Sequence, residues 1–235
     1  MYYPMYLDPT YILVIIGIVL SMMASARVKS AFNKYSAVRT VNGVTGADAA
    51  VRILRQAGIF DVTVTQVAGS LTDHYDPRTK TLRLSQSVYG SPSVAAVSVA
   101  AHECGHAIQD QQSYFPLRLR AALVPVTNFG ATLSWPLVLI GLLIGGEGSR
   151  ILINIGIWLF IAVIVFHFVT LPVELDASSH ALKILEGSGI LHGEENKQAK
   201  AVLGAAALTY IASAAAMALQ LIRLLLLTQN YRRRR

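Results

Sequence analysis

The sequence predicts an integral membrane protein, mainly α-helical, with about four transmembrane helices and one small α+β domain. Three observations carry this. The chain is 54% hydrophobic and 14% charged, where a soluble domain has about 25% charged residues. The deficit falls in four runs without Asp, Glu, Lys or Arg: Tyr11–Ala26, Ala121–Gly146, Ile151–Val173 and Ala201–Ile222. Only one long polar segment remains, Arg27 to Arg120, and its periodicities are those of a folded domain.

A bilayer span needs about 20 apolar residues. The second and third runs meet that length, the Ala-rich fourth just reaches it, and the first is completed by Tyr6–Pro9 or Val28 at the interface. The first run reads as a retained anchor rather than a signal peptide, since no Lys or Arg precedes it. Tyr2, Tyr3, Tyr6 and Tyr11 suit an interfacial aromatic belt.

In the polar segment, Ala50, Ile53, Leu54 and Ala57 recur at helical spacing, with Thr45 as N-cap and Gly58 as stop. The stretch DVTVTQVA alternates as a strand does. GSLTDHYDPRTKTLRLS reads as a hairpin turning at Asp76-Pro77-Arg78-Thr79. Ser93 then opens an apolar helix to about Gln111. Pro116, Pro125 and Pro136 punctuate the approach to the second span, and Glu147–Arg150 makes a tight hairpin between the second and third. The expected divisions are an anchor (1–26), the α+β domain (27–120), a membrane hairpin (121–173), a helix and loop (174–200), and a last span with a basic tail (201–235).

The net charge of +7 does not point to nucleic acid, because its Lys and Arg residues flank the apolar runs, where they set topology. The polar domain is rich in Lys and Arg and the first ten residues have none, so the positive-inside rule places the domain in the cytoplasm. The Arg232–Arg235 run then falls on the opposite side, against that rule, unless the last apolar stretch is re-entrant. Cys104 is the single cysteine, which excludes an internal disulfide and any CxxC metal site.

Inside the apolar helix stands His102-Glu103-Cys104-Gly105-His106, an HExxH spacing. On a helix, residues i and i+4 share a face, so His102 and His106 can offer their nitrogens to one Zn2+. Glu103 beside them can take a proton from the water that zinc acidifies. The motif alone is moderately specific. Its flank, SVAAVSVAAHECGHAI, raises its weight, because buried His and Glu without a ligand are costly.

A catalytic zinc needs a third protein ligand and an open position. Gln109 and Gln112 occupy the places of the extended HExxHxxGxxH form and exclude it. Glu147 falls across the membrane, roughly 30 Å away. Glu194 and Glu195 lie in a polar loop, and Glu186 near a helix end. Glu174 follows Pro172 where the hairpin returns, at the expected start of a new helix. A carboxylate there is costly unless it ligates or pairs; capping a helix N-terminus is its other reading.

Together the blocks LTDHYDP, LRLS, SVAAVSVAAHECGHAIQD, PVELDAS and AAALTY resemble the YugP-type bacterial membrane zinc metallopeptidases, from about Ala47 to the end of the chain. That resemblance implies a gluzincin-like catalytic domain in the bacterial cell membrane, with His102, His106 and Glu174 as zinc ligands and Glu103 as base. The order of the blocks is also similar to HtpX and CAAX prenyl proteases, whose E-x-x-A-D block has Asp where this chain has Ser178, and where Arg is expected near the position of His180. Asp176 or Asp73 can then be the group that orients a zinc histidine. His180 and Tyr210 can each stabilise an oxyanion, or be an exposed and an interfacial residue. His74 serves the site or the hairpin. The KTLRLS strand is either a solvated edge or one that pairs with a peptide substrate.

The expected activity is that of a zinc endopeptidase acting on membrane or membrane-proximal proteins, with lipid and polypeptide as partners. A zinc-stabilised membrane scaffold without catalysis, and an amidase for a non-peptide substrate, are the competing readings.

Overall fold

The computed structural model describes residues 9–144 and 146–233, with the backbone alone at 146, 147 and 230–233. Tyr2, Tyr3 and Tyr6 of the expected aromatic belt, and Arg234 and Arg235, lie outside the described residues. The elements in order are α1 (Tyr11–Ser36), α2 (Gly46–Gln56), β1 (Thr63–Val67), β2 (His74–Asp76), β3 (Thr81–Ser85), α3 (Gln86–Tyr89), α4 (Val94–Gln111), α5 (Phe115–Ile144), α6 (Gly146–Gly187) and α7 (Glu194–Arg233). The mainly helical membrane class with a small α+β part is as the sequence predicts. Among the described residues, four helices are long and apolar enough to cross a bilayer: α1, α5, α6 and α7.

The chain forms two compact units. The first comprises Met1–Met23, Leu119–Leu171 and Tyr210–Arg235. Its α5–α6 hairpin closes through glycines: a Cβ on Gly130 would stand 2.7 Å from the Leu159 carbonyl oxygen, and one on Gly156 the same distance from that of Ser134. Val138, Phe160, Ile164 and Leu224 form its buried cluster. Trp158, Phe129, Leu143 and Ile151 stay largely exposed, as a lipid-facing surface requires.

The second unit comprises Ala24–Arg118 and Pro172–Thr209. Thr45 caps α2 in a reciprocal capping box with Asp48. Gly58 ends the turn beyond α2 with φ +72, a conformation that glycine adopts without strain. α2 buries Ala49, Ala50, Ile53 and Leu54 against α4. Leu82 and Leu84 of β3 are fully buried, so the alternation read in LRLS does point one face inward.

Two expectations change. The sheet order is β1-β3-β2, with β1 parallel and β2 antiparallel to β3. The KTLRLS strand is therefore the centre of the sheet, and both of its edges are already paired. Its two buried leucines favour that place, but a central strand cannot be told from an edge by alternation alone. The break expected after Pro172 is also absent, since Pro172 sits inside α6. Proline removes one helical hydrogen bond, a loss that long apolar helices tolerate when neighbouring groups take up the freed backbone. Glu174 thus stands in mid-helix and caps no N-terminus.

Candidate metal centre

α4 begins at Ser93, whose hydroxyl accepts the Ala96 N–H at 3.2 Å. Its small residues let the helix sit deep in the unit: Val94, Val97, Ala100, Ala101 and Cys104 are wholly buried. The Cys104 thiol donates to the Ala50 carbonyl at 3.7 Å, and burial pushes its pKa well up, so it is held as a neutral core group. Gly105 lets α6 approach, because a Cβ there would stand 2.5 Å from the Ala177 carbonyl oxygen.

That approach brings His102, His106 and Glu174 together. Glu174 Oε2 lies 3.2 Å from His102 Nε2 and 3.5 Å from His106 Nε2. One ligand atom from each residue lies within 4.8 Å of the others. The three side chains are 12%, 11% and 3% exposed. Two ligand atoms about 2 Å from a tetrahedral zinc stand roughly 3.3 Å apart, so the two His–Glu separations match such an ion. Two nitrogens and one carboxylate are also a catalytic zinc donor set.

The far nitrogens are engaged. His106 Nδ1–H donates to Gln109 Oε1 at 3.1 Å, and the Gln109 amide donates in turn to the Val173 carbonyl at 2.8 Å and to Asp176 Oδ2 at 2.7 Å. With its amide hydrogens directed to those oxygens, Gln109 can offer His106 only an acceptor. This keeps the proton on Nδ1 and the Nε2 lone pair toward the site. His102 Nδ1 meets Ser178 Oγ at 3.1 Å. Burial presses the His106 pKa down, but the contact with Glu174 and the charge of Glu103 outweigh it and hold it above the ordinary value. Glu103 is buried, at 8% exposed, and has no hydrogen-bond partner among the described residues.

Asp73, His74 and His180 each engage groups outside the cluster. Asp73 does not orient an imidazole: Ser85 donates to it through its N–H at 2.7 Å and its hydroxyl at 3.0 Å, tying the loop to the end of β3. His74 is exposed on β2, with Nδ1 2.9 Å from the Thr72 carbonyl oxygen and Nε2 3.5 Å from Arg83. His180 Nδ1 faces its own helix, 3.1 Å from the Asp176 carbonyl oxygen and 3.3 Å from Asp176 Oδ2. Asp176 reaches the imidazole of His106 only through Gln109. Tyr210 is half buried on α7.

In the sequence Gln109 and Ser178 stand out only as departures from other patterns. Their spacing was the available signal. Gln109 is three residues beyond His106 and Ser178 four beyond Glu174, each on the same helical face as its ligand.

Two histidines on α4 and a carboxylate on the long apolar helix α6 make a buried cluster that suits a metal ion in a membrane protein. Comparison agrees: residues 10–229 match the family described as "Putative neutral zinc metallopeptidase", and the chain belongs to that family. Among its relatives is the "Putative membrane protease YugP" of Bacillus subtilis (strain 168), 46% identical over 220 residues that cover 94% of this chain and 96% of that protein. No solved structure matches the chain. The protein is thus a multi-pass membrane member of a zinc peptidase family, and zinc is the metal its cluster suits.

Proposed function

We propose that the protein is a membrane zinc endopeptidase in which His102, His106 and Glu174 hold the ion and Glu103 is the general base. The observation that carries this is the convergence of the three ligand atoms within 4.8 Å, one helical position from a buried carboxylate. A zinc ion held there supplies a Lewis acid that polarises a carbonyl and brings the pKa of water toward neutrality.

The remaining work belongs to the chain. Gln109 and Ser178 fix the two imidazoles so that both Nε2 atoms face one point. Glu103 takes the proton from the attacking water and passes it to the leaving amine. Low exposure of the cluster keeps bulk water from competing. His180 and Tyr210 are the candidate donors to the developing oxyanion, and Asp176 supports His106 by way of Gln109. Substrates of this reading are membrane or membrane-proximal proteins, cleaved near the cytoplasmic face, the side that the Lys and Arg distribution favours.

The test is Glu103→Gln. Zinc content and thermal stability should stay at wild-type level while cleavage falls by about 10²–10⁴-fold, the usual weight of a general base. Comparing membrane proteomes of cells carrying the two forms should show proteins that accumulate only with the variant. Identical proteomes would favour a zinc-stabilised scaffold.

A further inference from the structure

In the unit formed by Met1–Met23, Leu119–Leu171 and Tyr210–Arg235, α7 carries Arg223. Its guanidinium carbon lies 4.2 Å from the ring centroid of Tyr11 on α1 and 5.3 Å from that of Trp135 on α5. Its Nε is buried without a hydrogen-bond partner. No carboxylate pairs with it among the described residues. Neither α1 nor α5 contains an Asp or Glu, and α7 has none after Glu195. Rings alone leave the directional donors of a guanidinium unused.

Arg223 marks the end of the Ala201–Ile222 run. A long basic side chain near the end of such a run can extend along the helix to bring its guanidinium to the headgroup level. Beside it an apolar cavity of about 270 Å³ runs between α1 and α7, lined by Val14, Gly17, Ser21 and Met22 on one side and Met217 and Gln220 on the other. The two helices are antiparallel here: Gly17 packs on Ala216, and Tyr11 on Arg223. Gln220 lies one turn before Arg223. From Tyr11 to Met22 the groove follows α1 for about 16 Å, half of a bilayer core.

We propose that this groove binds one anionic phospholipid, its phosphate on Arg223, its ester carbonyls at Gln220 and an acyl chain along Val14–Met22. Charge complementarity selects this occupant. A cation without an acid partner among the described residues stands at the polar end of an apolar channel about half a bilayer core long, and an apolar helix of a partner protein would bring it no acid.

The test uses the full chain with Trp158→Phe, which leaves Trp135 as its tryptophan, reconstituted in vesicles with bromine on the acyl chains of either phosphatidylglycerol or phosphatidylcholine. Quenching of Trp135 should favour phosphatidylglycerol by about five-fold, the weight of one basic residue at an anionic surface. The preference should survive Arg223→Lys, vanish in Arg223→Gln and weaken in Val14→Phe, which fills the groove but keeps the charge. Inorganic phosphate should not abolish it. Equal quenching by the two lipids, or a preference unchanged in Arg223→Gln, would overturn the assignment. So would energy transfer between labelled copies that requires Arg223 and ignores lipid charge, which would give the groove to a second copy. If Arg223→Gln fails to fold, an undiminished preference in Val14→Phe is the result that counts against it.

Discussion

Gln109 and Asp176 meet amide to carboxylate at 2.7 Å, joining the HExxH helix to the helix that carries Glu174. The same glutamine holds the Nδ1 proton of His106. Gln109→Leu should therefore lower zinc affinity by about 10–100-fold, the usual weight of a group that orients a metal histidine. Competition against a chromophoric chelator measures it, and unchanged affinity would leave Gln109 a packing residue.

Glu174 contributes the buried carboxylate of the cluster. Glu174→Ala should abolish stoichiometric zinc in the purified protein, read by elemental analysis. Stripping zinc from the wild type with a chelator should stop cleavage reversibly. Full zinc retention in the variant would remove Glu174 from the ligand set.

Gly105 admits no side chain without moving the Ala177 carbonyl. Gly105→Ala should cost about 1–3 kcal/mol, as overpacking does, and lower zinc content with it. Gly187, at the end of α6, has nothing near the place of its Cβ. Gly187→Ala should be neutral or stabilise by up to about 1 kcal/mol. Thermal unfolding in detergent compares the two.

Tyr75 ties the hairpin to α4. Its hydroxyl donates to Asp110 Oδ2 at 2.9 Å, and Lys80 reaches the same oxygen at 2.7 Å. Burial first, and the Asp110 contact second, raise the Tyr75 pKa above the ordinary tyrosine value. A group raised on folding adds stability below its unfolded pKa and loses it as pH climbs toward the folded value. Stability should thus fall from about pH 10 upward. Tyr75→Phe should be less stable at pH 8 but flatter along the alkaline limb. Parallel limbs would show that Tyr75 is not the group responsible.

Orientation can be read at the hairpin between α5 and α6. A reporter fused at Arg150 should signal the outer side if the Lys- and Arg-rich segment faces the cytoplasm. A cytoplasmic signal would invert the topology.

Much of this was legible because it rests on local patterns. The capping residues Thr45 and Ser93, the stop at Gly58, the hairpin at Asp76–Thr79 and the buried alternation of Leu82 and Leu84 each follow from a few adjacent side chains. The convergence of His102, His106 and Glu174 was legible because a membrane hairpin must return to the side it left. The long-range facts were hidden. Nothing adjacent to β1 says that it pairs parallel to β3, and this pairing turns a supposed edge into the centre of the sheet. Pro172 misled, because a helix continues through proline where its surroundings absorb the lost bond. Asp73 and His74 looked like site residues by type, yet Ser85 and Thr72 engage them. Their partners lie in the sheet, and residue type alone does not reveal that.

Cys104 and Gly105 change what the five-letter pattern means. In HExxH the two middle positions are nominally free, and that freedom is why the pattern recurs by accident. In this fold neither is free. Position 104 is sealed in the core against Ala50, and position 105 lies under the Ala177 carbonyl, where a single methyl would collide. Chemistry dictates three letters and steric exclusion restricts the other two to small residues. A genome search for distant kin should accordingly weigh a small residue followed by glycine almost as heavily as the histidines, and should pass over matches with bulky residues there.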